Sequence, residues 1–159
     1  MKVLLTLTAI LLTLVSGCSD DVNSSAGLEY RFEVLDVHEQ PSSRFLVGEE
    51  VRLLLSASNS GNELEILYFS SGQEVDYELT TLDGETLWRW SDEQVFTAAL
   101  HDREVQPLSE ISHQTSFCTV DTVQTQEGSD CLPVSIGEYR IRGWFLDTGV
   151  ELQQSIYFD

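Results

Sequence analysis

Hydrophobic and polar residues alternate with a period of two along most of this chain, the pattern of half-buried strands. Tyr30, Phe32 and Val34 fall on one face and Arg31 and Glu33 on the other, so residues 28–37 predict a first strand. A loop with Pro41 follows, and Val51, Leu53, Leu55 and Ala57 then oppose Arg52, Ser56 and Ser58 in a second strand with one wet face. Asn59-Ser60-Gly61-Asn62 reads as a turn, and residues 64–69 as a third strand. The strongest local signal is Asp83-Gly84 between two runs of strand formers, which predicts a two-residue hairpin turn. Counting outward pairs Leu82 with Glu85, Thr80 with Leu87, Leu79 with Trp88, Glu78 with Arg89 and Tyr77 with Trp90. Tyr77, Leu79, Trp88 and Trp90 then share an apolar face, and Asp76, Glu78, Glu85 and Arg89 a polar one. Both tryptophans are expected in the core, Trp88 and Trp90 against Leu79 and Tyr77.

Residues 92–100 carry Phe96 and Leu100 at helical spacing and predict a short helical turn or an aromatic lid. After Pro107 a strand over 108–120 carries Ile111 and Phe117. In the next strand Tyr139, Ile141 and Phe145 oppose Arg140, Arg142 and Trp144, and Asp147-Thr148-Gly149 turns the chain into a last strand over 150–158. About eight or nine short strands, with turn signals roughly every 8–12 residues and no sustained helical period, predict an all-β antiparallel sandwich.

The first residues change the picture. Lys2, an apolar run over 3–15 and Ser16-Gly17-Cys18 have the make-up of a secretory leader, and the run is too short for a membrane span. Val15-Ser16-Gly17-Cys18 resembles a bacterial lipobox, which implies a signal peptide over 1–17, lipidation at Cys18 and a flexible tether over 18–27 ahead of a domain over 28–159. Ser19 after the cysteine implies, by resemblance to Gram-negative lipoproteins, a cell-envelope protein on the periplasmic face of the outer membrane. Lys2 is the sole lysine. Without the leader seven arginines face 27 Asp and Glu, a formal charge of −20. Such a surface repels nucleic acid and anionic lipid. The acids are dispersed, which fits a solvated coat more than a concentrated docking face. Outside the cytoplasm Cys118 and Cys131 predict a disulfide, because metal binding would require more soft ligands than His113 supplies.

One 30-residue stretch also carries a family resemblance. Ser71-Gly72-Gln73, Asp76, Asp83-Gly84, Leu87-Trp88-Arg89-Trp90-Ser91, Phe96 and Ala99-Leu100 resemble the intracellular proteinase inhibitor (BsuPI) family. Weaker agreement at Asn59, Gly137 and Tyr139 extends the resemblance over roughly residues 51–145. It implies an immunoglobulin-like β-sandwich, with Trp88, Arg89, Trp90 and Phe96 as its motif core, and a protein-binding, inhibitor-like role. Residues 118–131 depart from the family pattern. Gly137-Glu138-Tyr139 resembles the strand entry of immunoglobulin-like domains, where the tyrosine hydroxyl bonds nearby backbone.

No nucleophile elbow, zinc-protease helix, phosphate loop or paired-cysteine motif is present, and His38, His101 and His113 lack carboxylates at fixed spacing. The reading is therefore a non-enzyme without cofactor or metal. Its expected partner is a protease or another envelope protein, contacted through residues 73–76, with Gln73, Glu74 and Asp76, through residues 92–96, with Asp92 and Gln94, or through the cystine loop. The alternative is a non-inhibitory structural or assembly module of the envelope.

Overall fold

The computed structural model describes residues 22–25, 27–123 and 130–159, the first four by backbone alone. The expected leader and Cys18 lie outside them. Twelve strands are described: β1 (Val22–Ser25), β2 (Leu28–Leu35), β3 (Arg44–Phe45), β4 (Glu50–Asn59), β5 (Glu65–Phe69), β6 (Val75–Thr81), β7 (Thr86–Arg89), β8 (His101–Val105), β9 (Ser109–Asp121), β10 (Leu132–Val134), β11 (Gly137–Phe145) and β12 (Glu151–Phe158). One sheet runs β1-β2-β4-β9-β10 and the other β3-β12-β11-β6-β7, with β5 and β8 as a separate ribbon. The fold is the expected all-β sandwich, with more strands than alternation suggested. The additions, β1, β3, β8 and β10, are short or polar, and are strands by backbone pairing rather than by side-chain pattern. Val22–Ser25, inside the stretch read as tether, pairs with β2.

The core lies where the inner faces meet. Phe32, Val51, Leu53, Leu55 and Ala57 come from the first sheet, and Tyr77, Leu79, Ile141, Ile156 and Phe158 from the second. Phe32 and Tyr77 meet across the sandwich with ring centroids 6.1 Å apart. Gly143 of β11 faces that pair. A Cβ there would sit 3.0 Å from the Phe32 ring and 3.2 Å from that of Tyr77, so a larger residue would displace the rings. Tyr139 closes the expected corner: its hydroxyl donates to the Ser135 carbonyl at 2.9 Å and accepts the Ser135 amide at 3.1 Å. The Cys118–Cys131 disulfide is formed, joining β9 to the start of β10 across a Cα separation of 4.8 Å.

The central hairpin differs from its expected form in two places that cancel. Its loop has three residues, Leu82, Asp83 and Gly84, not two. The Thr81 amide donates to the Glu85 carbonyl at 2.9 Å and the Gly84 amide to the Thr81 carbonyl at 3.1 Å, with Gly84 at φ +86°. This is a turn followed by a left-handed glycine. Thr80 therefore pairs with Thr86 rather than Leu87, and Leu82 does not pair with Glu85. Leu87 then bulges, which restores the expected Leu79–Trp88 and Glu78–Arg89 pairs. Tyr77 and Trp90 do not pair as strand residues, because β7 ends at Arg89 and a short 3₁₀ turn spans Trp90–Glu93. Their rings meet edge-on instead, at 6.2 Å.

Candidate functional site

The motif residues meet around the segment that leaves this hairpin. Asp76 is buried on β6, and its carboxylate accepts the Tyr77 amide at 2.9 Å, the Ser91 amide at 3.1 Å and the Ser91 hydroxyl at 2.8 Å. Those bonds tie the 3₁₀ turn to β6. Trp90 next packs against Phe96 at 5.7 Å and His113 at 4.9 Å. Finally the Gly72 amide donates to the Thr97 carbonyl at 2.8 Å. A Cβ on Gly72 would lie 2.5 Å from the Thr97 hydroxyl oxygen and 3.1 Å from its amide nitrogen, so only glycine allows this approach. Three anchors thus brace residues 91–97 from below. Above them Asp92, Glu93, Gln94 and Val95 are exposed, Val95 completely.

The five expected contact residues separate accordingly. Asp92 and Gln94 stand on the exposed, braced segment. Glu74 accepts from His101 at 2.9 Å and Arg103 at 3.2 Å, and Gln73 donates its side-chain amide to the Val75 carbonyl at 3.1 Å. Asp76 holds the turn and is covered. Of the motif core, Trp88 is buried with its ring 4.8 Å from Phe117, and Phe96 and Trp90 are half-buried.

Arg89 belongs to a second cluster, on the outer face of the sheet. Glu78 is 2% exposed, bonded by Arg89 on one carboxylate oxygen and Arg142 on the other. Arg142 also donates to Glu151 at 2.7 Å, and both guanidiniums lie within 6 Å of the Trp144 ring. Burial acts to raise the Glu78 carboxyl, but the bonds and charges of Arg142 and Arg89 outweigh it and hold the group below its ordinary value. Sequence reading found Glu78 with Arg89 and placed Arg142 and Trp144 on one face, but did not bring them to Glu78, because the β6–β11 pairing that places Arg142 opposite Glu78 joins distant parts of the chain. On the inner face, the Tyr77 hydroxyl donates to the His113 carbonyl and meets His113 Nδ1, both at 3.0 Å. Burial pushes Tyr77 up and His113 down, the latter opposed by the charge of Glu74.

Among the described residues no group of three or more His, Cys, Asp or Glu could hold a metal ion, and no helix is long and apolar enough to cross a membrane. Fold and braced segment together define an immunoglobulin-like sandwich that presents a surface loop. The family model for intracellular proteinase inhibitor (BsuPI) matches residues 35–150, and the chain belongs to that family, one of inhibitors rather than enzymes. No curated protein matches the chain. Among solved structures it is similar to the alkylpurine DNA glycosylase AlkC of Pseudomonas fluorescens bound to DNA containing an abasic site analog, at 8% identity and TM-score 0.45 over 86% of this chain and 31% of that one. The sporulation control protein Spo0M of Bacillus subtilis is similar at 14% identity and TM-score 0.45, over 85% of this chain and 50% of that one. The β-glucosidase EmGH1 of Erythrobacter marinus is similar at 11% identity and TM-score 0.44, over 83% and 16%. This chain spans half or less of each.

Proposed function

We propose that this protein is a lipid-anchored, inhibitor-like binding module of the cell envelope that engages a protease through residues 92–95. The observation that carries the reading is the bracing of that segment: Asp76–Ser91, Trp90–Phe96 and Gly72–Thr97 fix a loop that leaves the 3₁₀ turn with the Val95 side chain fully exposed. A loop held in advance loses little conformational entropy on binding, and that is what an inhibitory contact requires. Membership of an inhibitor family supports a protease as partner. The anchor rests on Lys2, the apolar run and Ser16-Gly17-Cys18. Cys18→Ser is expected to leave an unprocessed precursor without acyl chains; lipid-labelled mature protein from that variant would remove the anchor from the reading.

A second reading, an assembly module without inhibitory activity, is favoured by one observation: Asp76, Trp88 and Arg89 are all committed to internal contacts. A panel of serine and cysteine proteases separates the two. The expected result is inhibition at micromolar concentration that Val95→Asp abolishes with the melting temperature unchanged. No inhibition of any protease by the wild-type chain would leave the assembly module as the better reading.

A further inference from the structure

The two sheets leave one side of the sandwich open. On that side β7 ends one sheet, and in the other β10 pairs only with Thr119, Val120 and Asp121 of β9. Among the described residues no strand covers the outer edge of β9 from Ser109 to Cys118. Which backbone groups that edge offers follows from two bonds. The Thr119 amide donates to the Glu49 carbonyl at 3.3 Å, in register with the β4–β9 ladder, and the Thr122 amide donates outward to Val134 at 3.3 Å. Odd-numbered residues of β9 therefore turn their amides and carbonyls toward β4, and even-numbered ones turn theirs outward. Among the described residues, Ser112, Gln114 and Ser116 present an unpaired strand edge.

A groove of about 530 Å³ lies beside this edge. Its apolar lining includes Leu87, Trp88 and Phe117, and Glu50, Glu93 and Asp130 contribute its charge. Glu50 is shared with Arg52 and Ser116, whereas Glu93 and Asp130 are exposed. No Arg lines it. Unpaired edges are normally blunted with Lys, Pro or a covering loop; here residues 112–116 offer Ser112, Gln114 and Ser116, which do not hinder pairing, and Glu110 before them adds a negative charge.

We propose that this edge and groove form a docking site for an extended, basic segment of a partner protein, added to β9 as an extra strand with a Lys or Arg side chain reaching Glu93. Alternate residues of such a strand would face the groove, and the ladder would supply affinity independent of sequence. Charge selects this occupant over a second copy of the chain, since two bodies of formal charge −19 repel one another. The proposal rests on the reading of the domain as a protein-binding module and places a second contact beside the 92–95 loop, with Glu93 common to both.

The test uses the full chain and a fluorescein-labelled Val-Lys-Val-Lys-Val-Lys-Val peptide, followed by anisotropy in 50 mM salt. Saturable binding is expected, weakened at least tenfold for the Glu-for-Lys peptide and at least tenfold for a peptide N-methylated at alternate residues, which keeps the charge but loses the ladder donors. Gln114→Pro removes one outward amide without touching the β4 ladder and is expected to weaken the Lys peptide at least tenfold, as is Glu93→Lys. Equal binding of the N-methylated peptide, or absence of saturable binding, would overturn strand addition even if Gln114→Pro folds poorly. Concentration-dependent dimers that Gln114→Pro dissolves would give the edge to a second copy and likewise overturn it. Inhibition by the 92–95 loop is read separately: protease inhibition lost in Val95→Asp with peptide binding intact concerns the loop alone, and inhibition intact with no peptide binding fails this proposal alone.

Discussion

The two faces of β6 are buried to the same degree by opposite means. Val75, Tyr77 and Leu79 point into the sandwich, and Asp76, Glu78 and Thr80 point away from it, yet all six are at most 5% exposed. The inner face is covered by apolar and aromatic side chains, with His113 on the Tyr77 hydroxyl, and each Å² of hydrocarbon removed from water there contributes about 25 cal/mol. The outer face is covered by Arg89 from β7 and by Arg142 and Trp144 from β11. Removing Glu78 from water is costly, and the cost is offset only while both guanidiniums hold it. Whether a strand face is wet is thus decided by what neighbouring strands lay over it as well as by its own residues.

That contrast makes the largest predicted effects. Glu78→Ala leaves two guanidiniums without their shared carboxylate and is expected to cost about 3–5 kcal/mol in urea unfolding. Trp88→Ala opens a cavity against Phe117 and is expected to cost about the same, about 3–5 kcal/mol. The two differ in how they are rescued. Replacing Glu78, Arg89 and Arg142 together by apolar residues of similar size is expected to return the protein to near wild-type stability, since such exchanges are often neutral. No recovery would mean that the outer face depends on its charges in their own right.

These particulars also mark how far the sequence was legible. Leu79–Trp88, Glu78–Arg89 and the disulfide follow from alternation, a turn signal and cysteine pairing, which act within a few residues or by identity, whereas the tyrosine corner follows from resemblance to immunoglobulin-like strand entries. The turn length was misjudged because Asp83-Gly84 suits both a two-residue loop and the last two residues of a three-residue one. Trp90 left the strand because Asp76 captures Ser91, a side-chain bond that alternation does not encode. The open edge of β9 was invisible, since it is defined by which strands do not come next to it. Residues 92–96 were legible as a candidate contact loop, but the bonds that brace them were not. Val95 reads as core by type but is wholly exposed.

A smaller effect is expected at the loop anchor. Gly72→Ala forces Thr97 away from residue 72 and is expected to cost about 1–3 kcal/mol, as overpacking does. Its informative consequence is local. Faster amide exchange confined to residues 92–97, with the core still protected, would show that Gly72 braces this loop. Uniform loss of protection would assign Gly72 to global stability instead.

The smallest effect separates the two faces of β6 by pH. His113, packed on Tyr77, sits below its ordinary value of 6.5 mainly because it is buried. The unfolded chain therefore takes up a proton before the folded one does, so stability present above pH 6.5 declines as pH falls toward the lower folded value. Glu78 on the outer face is also held below its ordinary 4.5, so the stability it contributes is intact above that pH and is lost only on further acidification through its folded value. Urea midpoints taken from pH 8 to pH 3 should show two declines. His113→Gln should remove the first, between pH 6.5 and the onset of carboxylate titration, and leave the second. Glu78→Gln should shrink the second while keeping the first, although its stability starts lower throughout. If His113→Gln leaves the decline below pH 6.5 unchanged, the imidazole is not held neutral by the aromatic cluster, and the inner face of β6 is wetter than its packing against Tyr77 and Trp90 implies.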